Sequence, residues 1–184
     1  MNRLQNDFPL KKYNSFGFDV NAKLYFSFSD EKQIIDFLPI IREKNYPILV
    51  LGGGSNILFT QDFSGIVIHP LNKGIKIIAE KADDILIKVS AGETWDDFVA
   101  WAVDHNYYGV ENLSHIPGNV GATPIQNIGA YGVELANSLE KLKAIEINTG
   151  KEKYFTNKEC DFGYRSSIFK HQLKGQYIIT EVFF

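Results

Sequence analysis

The stretch Glu111–Leu135, ENLSHIPGNVGATPIQNIGAYGVEL, decides how this chain is read. It sets Gly118, Gly121, Gly129 and Gly132 among Pro117, Pro124, Gln126 and Asn127, and it holds no Lys or Arg. Glycine permits positive φ and a close backbone approach. Successive main-chain N–H groups can then form a concavity that binds an anion without a charged side chain. The expected occupant is a phosphate or pyrophosphate. Read as structure only, the same stretch is an irregular loop whose prolines fix its turns.

A second glycine turn stands upstream. Leu51-Gly52-Gly53-Gly54-Ser55-Asn56 follows the short apolar run Pro47–Leu51. The dinucleotide fingerprint would need glycine at position 57, where Ile57 stands, and no Gly-Lys-Ser/Thr phosphate loop occurs. Taken alone, the turn is either a tight strand connection or a ligand contact, and Ser55 and Asn56 add side-chain hydrogen-bonding groups. Two such turns, both free of Lys and Arg, suggest one ligand cradled by backbone from two sides. Phosphoryl transfer normally also recruits Lys, Arg or Mg²⁺ ligands. The pattern therefore favours a phosphate that is held and not transferred, as in a dinucleotide cofactor.

Composition narrows the class. The 184 residues suffice for one domain or two small lobes. With 45% hydrophobic and 22% charged residues, the chain reads as a globular protein. A net charge of −3 gives no basic surface for nucleic acid. The single Cys160 cannot form an internal disulfide and fits a reducing, cytoplasmic setting. No apolar signal core is seen at the N-terminus, and no run approaches the roughly 20 residues of a membrane span. Asn112-Leu113-Ser114 matches a glycosylation sequon by chance. Oligomeric state is not written in the sequence. The run Tyr177–Phe184, YIITEVFF, is apolar to its last residue. It predicts a fragment of a longer protein, with an exposed strand edge prone to non-native pairing.

The remaining pattern is α+β. Pro47–Leu51 reads as a buried strand and Gly65–His69 as a second. Asp30–Lys44 carries Ile34, Ile35, Leu38 and Ile41 at helical spacing, with Ser29 as the expected N-cap and Pro39 expected to kink or shorten the helix. Ile75–Ala79 and Asp84–Ser90 read as strands joined by a polar turn around Lys81–Asp83. Thr94 and Asp97 form a candidate capping box. The helix that follows would bury Trp95, Phe98, Val99, Ala102 and Val103 and end near Asn106. Leu142–Asn148 and Lys151–Phe155 form a candidate hairpin, and Tyr177–Phe184 the last strand. The expected boundary between the two lobes lies near Pro70–Gly74, giving residues 1–70 and 71–184.

Other candidates are weaker. The segment Cys160–Ser167 offers a phenol and a guanidinium in Tyr164-Arg165, and Arg suits a carboxylate or a developing enolate. Read locally, Arg165 is a surface residue in a turn. His69, His105, His115 and His171 lack metal-ligand spacing, so no metal site is expected. Asp96-Asp97 and Asp83-Asp84 are adjacent pairs whose side chains diverge.

Together these segments resemble the UDP-N-acetylenolpyruvoylglucosamine reductase family. The similar stretches are Asn14-Ser15-Phe16-Gly17, Leu51–Phe59, Ile116–Leu135 and Cys160–Lys170, in the family's order across almost the whole chain. The resemblance implies a vanillyl-alcohol-oxidase/p-cresol-methylhydroxylase type FAD-binding fold, in which two α+β subdomains grip FAD. Gly52, Gly53, Gly54, Ser55, Asn56, Ile116, Pro117, Gly118, Gly121, Ala122, Thr123, Gln126 and Gly129 would line the cofactor. NADPH would be the reductant and UDP-N-acetylglucosamine enolpyruvate the substrate. Arg165 would stabilise the enolate, with Tyr131 and Tyr164 beside the substrate. The family's substrate-binding domain, with its proton donor and late Glu, lies beyond Phe184, so this stretch is expected to be inactive alone. Another oxidoreductase of the same fold, or a non-catalytic flavin- or nucleotide-binding module, remains an alternative.

Overall fold

Strand alternation and helical repeat act together in the first half of the chain. A computed structural model describes residues 4–81 and 84–184. Strands β1 (Gln5–Pro9) and β2 (Asn21–Phe28) are antiparallel. Helix α1 (Glu31–Lys44), strand β3 (Ile48–Val50) and strand β4 (Phe63–Pro70) follow. Both β2 and β3 pair with β4 in parallel, so the first sheet runs β1-β2-β4-β3. Ile34, Leu38 and Ile41 of α1 are buried against Leu24, Phe26, Phe28, Ile66 and Ile68. The other side of the sheet carries Tyr25 and Val67, packed with Leu10 and Leu51.

Strands β5 (Ile75–Glu80) and β6 (Ile85–Ser90) precede helix α2 (Trp95–Asp104). After the long glycine-rich segment, which includes the two-residue ladder β7 (Gly129–Ala130) and β8 (Val133–Glu134), come β9 (Lys141–Glu146), β10 (Glu152–Thr156) and β11 (Tyr177–Phe183). They form an antiparallel sheet ordered β10-β9-β11-β6-β5. Its core contains the fully buried Trp95, whose indole N–H donates to Leu113 O at 2.7 Å. The α+β expectation holds, and all strands of the first sheet lie before Pro70 while those of the second lie after it. The interiors are nevertheless joined: Ile145, Ile147 and Ile178 of the second half pack into the α1 core. Lys143, on β9, adds an ion pair to Glu31 at 2.5 Å and one to Glu152 at 3.2 Å. Burial works against its charge, but the two carboxylates outweigh it and raise the Lys143 pKa.

Several local expectations are corrected. Asp30, not Ser29, caps α1; its carboxylate accepts from Lys32 N at 2.7 Å. The helix runs through Pro39 to Lys44 without being shortened. Thr94 stands at the N-cap of α2, as expected, but its side chain makes no capping bond; Trp95 N, at the first helical position, donates to Gly118 O. Val103 is exposed, and α2 ends at Asp104. Strand β3 is an edge strand with Val50 exposed, not a buried one. Most consequentially, Tyr177–Phe183 is no edge: β11 is the central strand of its sheet, which explains an apolar run on both faces. The turn expected around Lys81–Asp83 lies partly outside the described residues.

Candidate functional site

The glycine turn after β3 and the loop after α2 meet face to face. A cleft of about 220 Å³ between them is lined by Gly52, Gly53, Gly54, Ser55 and Asn56 on one side and by Pro117, Gly118, Ala122, Thr123 and Gln126 on the other. The approach is tight. A Cβ on Gly53 would stand 3.2 Å from Gly118 Cα, and one on Gly52 the same distance from Asn119 Oδ1. Two hydrogen bonds bridge the walls, Ser55 Oγ to Pro117 O at 3.0 Å and Asn56 Nδ2 to Gln126 Oε1 at 2.5 Å. Among the described residues, the amides of Gly52, Gly53 and Gly118 donate to no protein acceptor. They are free to receive an anion.

Each wall is anchored from behind. At Gly54, φ is +68° and a Cβ would lie 1.9 Å from Tyr13 O, so this residue seats the first turn on the N-terminal segment. That segment is fixed in turn by Asn14, whose amide donates to Leu10 O and Phe18 O while its oxygen accepts from Phe18 N. The second loop starts from Asp96 on α2, which accepts from His115 N at 2.7 Å and Ser114 Oγ at 2.9 Å. Those bonds hold its carboxyl below the usual range. Val120–Gln126 then forms a 3₁₀ segment.

Buried Asn127 ties this segment to the third motif. Its amide donates to Glu134 and to Gly163 O, and its oxygen accepts from Ala136 N. Tyr164 and Arg165 are the central residues of a tight turn closed by reciprocal 3.1 Å bonds between Gly163 and Ser166. The local reading as a turn was right. Yet Arg165 does not point away from the loop: its guanidinium donates to Gly129 O at 2.5 Å. Tyr131 and Arg165 share a left-handed φ of +52°, and Tyr131 and Tyr164 are 90% and 84% exposed. Strained non-glycine backbone of this kind costs about 1–3 kcal/mol and persists where surrounding structure enforces it.

Not every expected cofactor residue reaches the cleft. Gly121 is needed for packing, since its Cβ would meet Ala91 Cβ at 2.5 Å, and its amide is already used by Ala91 O. Ile116 lies outside the lining, and Gly129 stands beside Arg165 instead. Conversely, Ile57, Asn119, Ile125, Ile128 and Lys170 line the cleft without having been singled out. Ile57 follows the first turn and Lys170 comes from a segment distant in sequence.

The two turns, their free amides and the scarcity of charge define a site for a phosphate-bearing cofactor. At about 220 Å³ the cleft is below the roughly 300–1,000 Å³ of sites that enclose drug-sized ligands. The family model described as "FAD binding domain" matches residues 22–154, and the chain belongs to that family. A UDP-N-acetylenolpyruvoylglucosamine reductase of Flavobacterium johnsoniae is 48% identical over 98% of this chain and 53% of its own length. The protein of the same name from Pseudomonas aeruginosa is 45% identical over 92% of this chain and 50% of its own. The chain thus spans about half the length of the curated relatives it matches. The crystal structure of UDP-N-acetylenolpyruvylglucosamine reductase (MurB) from Thermus caldophilus superposes with a TM-score of 0.76 at 24% identity, covering 99% of this chain and 61% of that one. It shows a shared fold.

Proposed function

We propose that this chain is the FAD-binding portion of an NADPH-dependent UDP-N-acetylenolpyruvoylglucosamine reductase, acting in the cytoplasm in peptidoglycan synthesis. The observation that carries the reading is the meeting of two glycine turns over unpaired amides, with the Tyr164-Arg165 turn tied to the same loop through Gly129 O. The substrate class follows from the relatives' names. Division into subdomains 1–70 and 71–184 belongs to the same proposal, the cleft lying where the two meet.

When bound, FAD would carry hydride from NADPH to the enolpyruvyl group of UDP-N-acetylglucosamine enolpyruvate. Gly52–Asn56 and Gly118 would hold the pyrophosphate through main-chain N–H groups and short polar side chains, with Pro117 lining the cleft beside them. Arg165 offers its fork to the enolate that develops on the substrate, and Tyr131 and Tyr164 flank it. Stabilising such charge typically contributes about 10²–10³-fold. No proton donor is assigned among the described residues, and turnover by this stretch alone is not expected.

The test has two parts. The chain should bind FAD and become yellow; failure to bind it removes the cofactor reading. In the full-length enzyme, Arg165→Ala should slow substrate-driven flavin reoxidation by about 10²-fold or more. Near-normal reoxidation would exclude Arg165 from catalysis.

A further inference from the structure

Among the residues lining the cleft, Lys170 alone is charged. It ends a single 3₁₀ turn, Ile168–Lys170, that is held on both sides. Ser167, 1% exposed, donates its hydroxyl to Ile125 O at 2.7 Å and accepts from Phe169 N. Phe169 is buried edge-on against Phe155 at a centroid distance of 5.0 Å. The ammonium itself donates to Arg165 O at 2.9 Å. Lys170 is therefore placed by three independent attachments, one of them to the main chain of Arg165. A cleft otherwise neutral has one cation, bonded to the Tyr164-Arg165 turn that the reading above puts beside the substrate.

We infer that Lys170 meets the negative charge of the reduced isoalloxazine, and so sets the reduction potential of the bound flavin instead of anchoring the pyrophosphate. The inference rests on the FAD reading above. Two-electron reduction with uptake of one proton leaves an anionic ring, and a nearby ammonium favours that form over the neutral oxidised ring. Oxidised FAD carries its negative charge on the pyrophosphate, so removing a cation from the ring end should change affinity for the oxidised cofactor little.

The experiment compares the parent protein with Lys170→Met and Lys170→Arg, each loaded with FAD. Reduction potentials are read by spectroelectrochemical titration, and oxidised-FAD affinities by fluorescence quenching. The expected result is a more negative potential in Lys170→Met, restored in Lys170→Arg, with affinity for oxidised FAD within about threefold of the parent. A loss of affinity of about tenfold or more (roughly 1.4 kcal/mol) at unchanged potential would overturn the inference by assigning Lys170 to the pyrophosphate. Unchanged potential and affinity would overturn it by removing Lys170 from the site. A parent that takes up no FAD would defeat the cofactor reading itself, an outcome distinct from both.

Discussion

Replacing Gly53 by alanine probes the cleft with a single methyl group. The added Cβ would stand 3.2 Å from Gly118 Cα, 3.4 Å from Asn119 Oδ1 and 3.7 Å from Gly118 C. Gly53 is not among the glycines with positive φ, so alanine suits its backbone. The walls need give only a few tenths of an ångström, and the cost in folding stability should stay below about 1 kcal/mol, a fall in Tm of roughly 2–4 °C. Binding should suffer more. The methyl narrows the gap between the two turns, where the amides of Gly53 and Gly118 have no protein acceptor, and losing one hydrogen bond to a charged group costs about 1.5–3 kcal/mol. That corresponds to roughly 10–150-fold weaker FAD binding. Gly54→Ala is the counterpart: its Cβ would lie 1.9 Å from Tyr13 O at φ +68°, against an ordinary contact of at least 3.4 Å. Left-handed backbone alone costs about 1–2 kcal/mol in a residue with a Cβ, so Tm should drop further than in Gly53→Ala. The assay is FAD titration by fluorescence beside a thermal melt on each variant. If Gly53→Ala binds FAD as tightly as the parent, the gap between the two turns is not where the cofactor sits.

Three further outcomes are expected. His69, 7% exposed and bonded through Nδ1 to the Tyr25 hydroxyl at 2.8 Å, has its pKa pushed down to about 4 by burial. The unfolded chain therefore takes up this proton first, near the reference value of 6.5. Its contribution, on the order of 3 kcal/mol, is present above pH 6.5 and is lost as pH falls toward 4; urea melts across that range should show a flatter slope in His69→Gln. Lys143→Ala leaves the partly buried Glu31 and the exposed Glu152 without their cation; a loss of about 2 kcal/mol is expected, and no change in the denaturation midpoint would dismiss the bridge as a contributor. The Cys160 thiol, fully buried with its pKa pushed up to about 12 by burial, should resist a thiol reagent in the native protein and react once urea unfolds it.

What the sequence revealed depended on how local the physics was. The α1 repeat of Ile34, Leu38 and Ile41 and the β9–β10 hairpin are set by near neighbours, and both were legible. Strand order was not. Ile75–Glu80 is apolar enough to pass for an interior strand, yet it forms an edge with Ile77 and Ile78 exposed. Tyr177–Phe183, taken for an edge, is central, because pairing with β6 and β9 is decided by residues tens of positions away. In the candidate site, glycine content picked out two loops that face each other across one cleft, but not the duty of each residue. Gly53 and Gly118 make the gap, whereas Gly54 and Gly121 fit against Tyr13 and Ala91. Asp30, not Ser29, caps α1, whereas Thr94 does stand at the N-cap of α2 but without the expected side-chain bond.

The central position of β11 also fixes an order of events during synthesis. The strand lies between β6 and β9, and it supplies Ile178 to the α1 core while Ile179 and Val182 enter the core around Trp95. Neither interior can close until Tyr177–Phe183 has emerged from the ribosome. Until then β6, β9 and α2 have their apolar faces unsealed, and the two glycine turns, which depend on those layers for their alignment, can form a cofactor cleft only once β11 has been inserted.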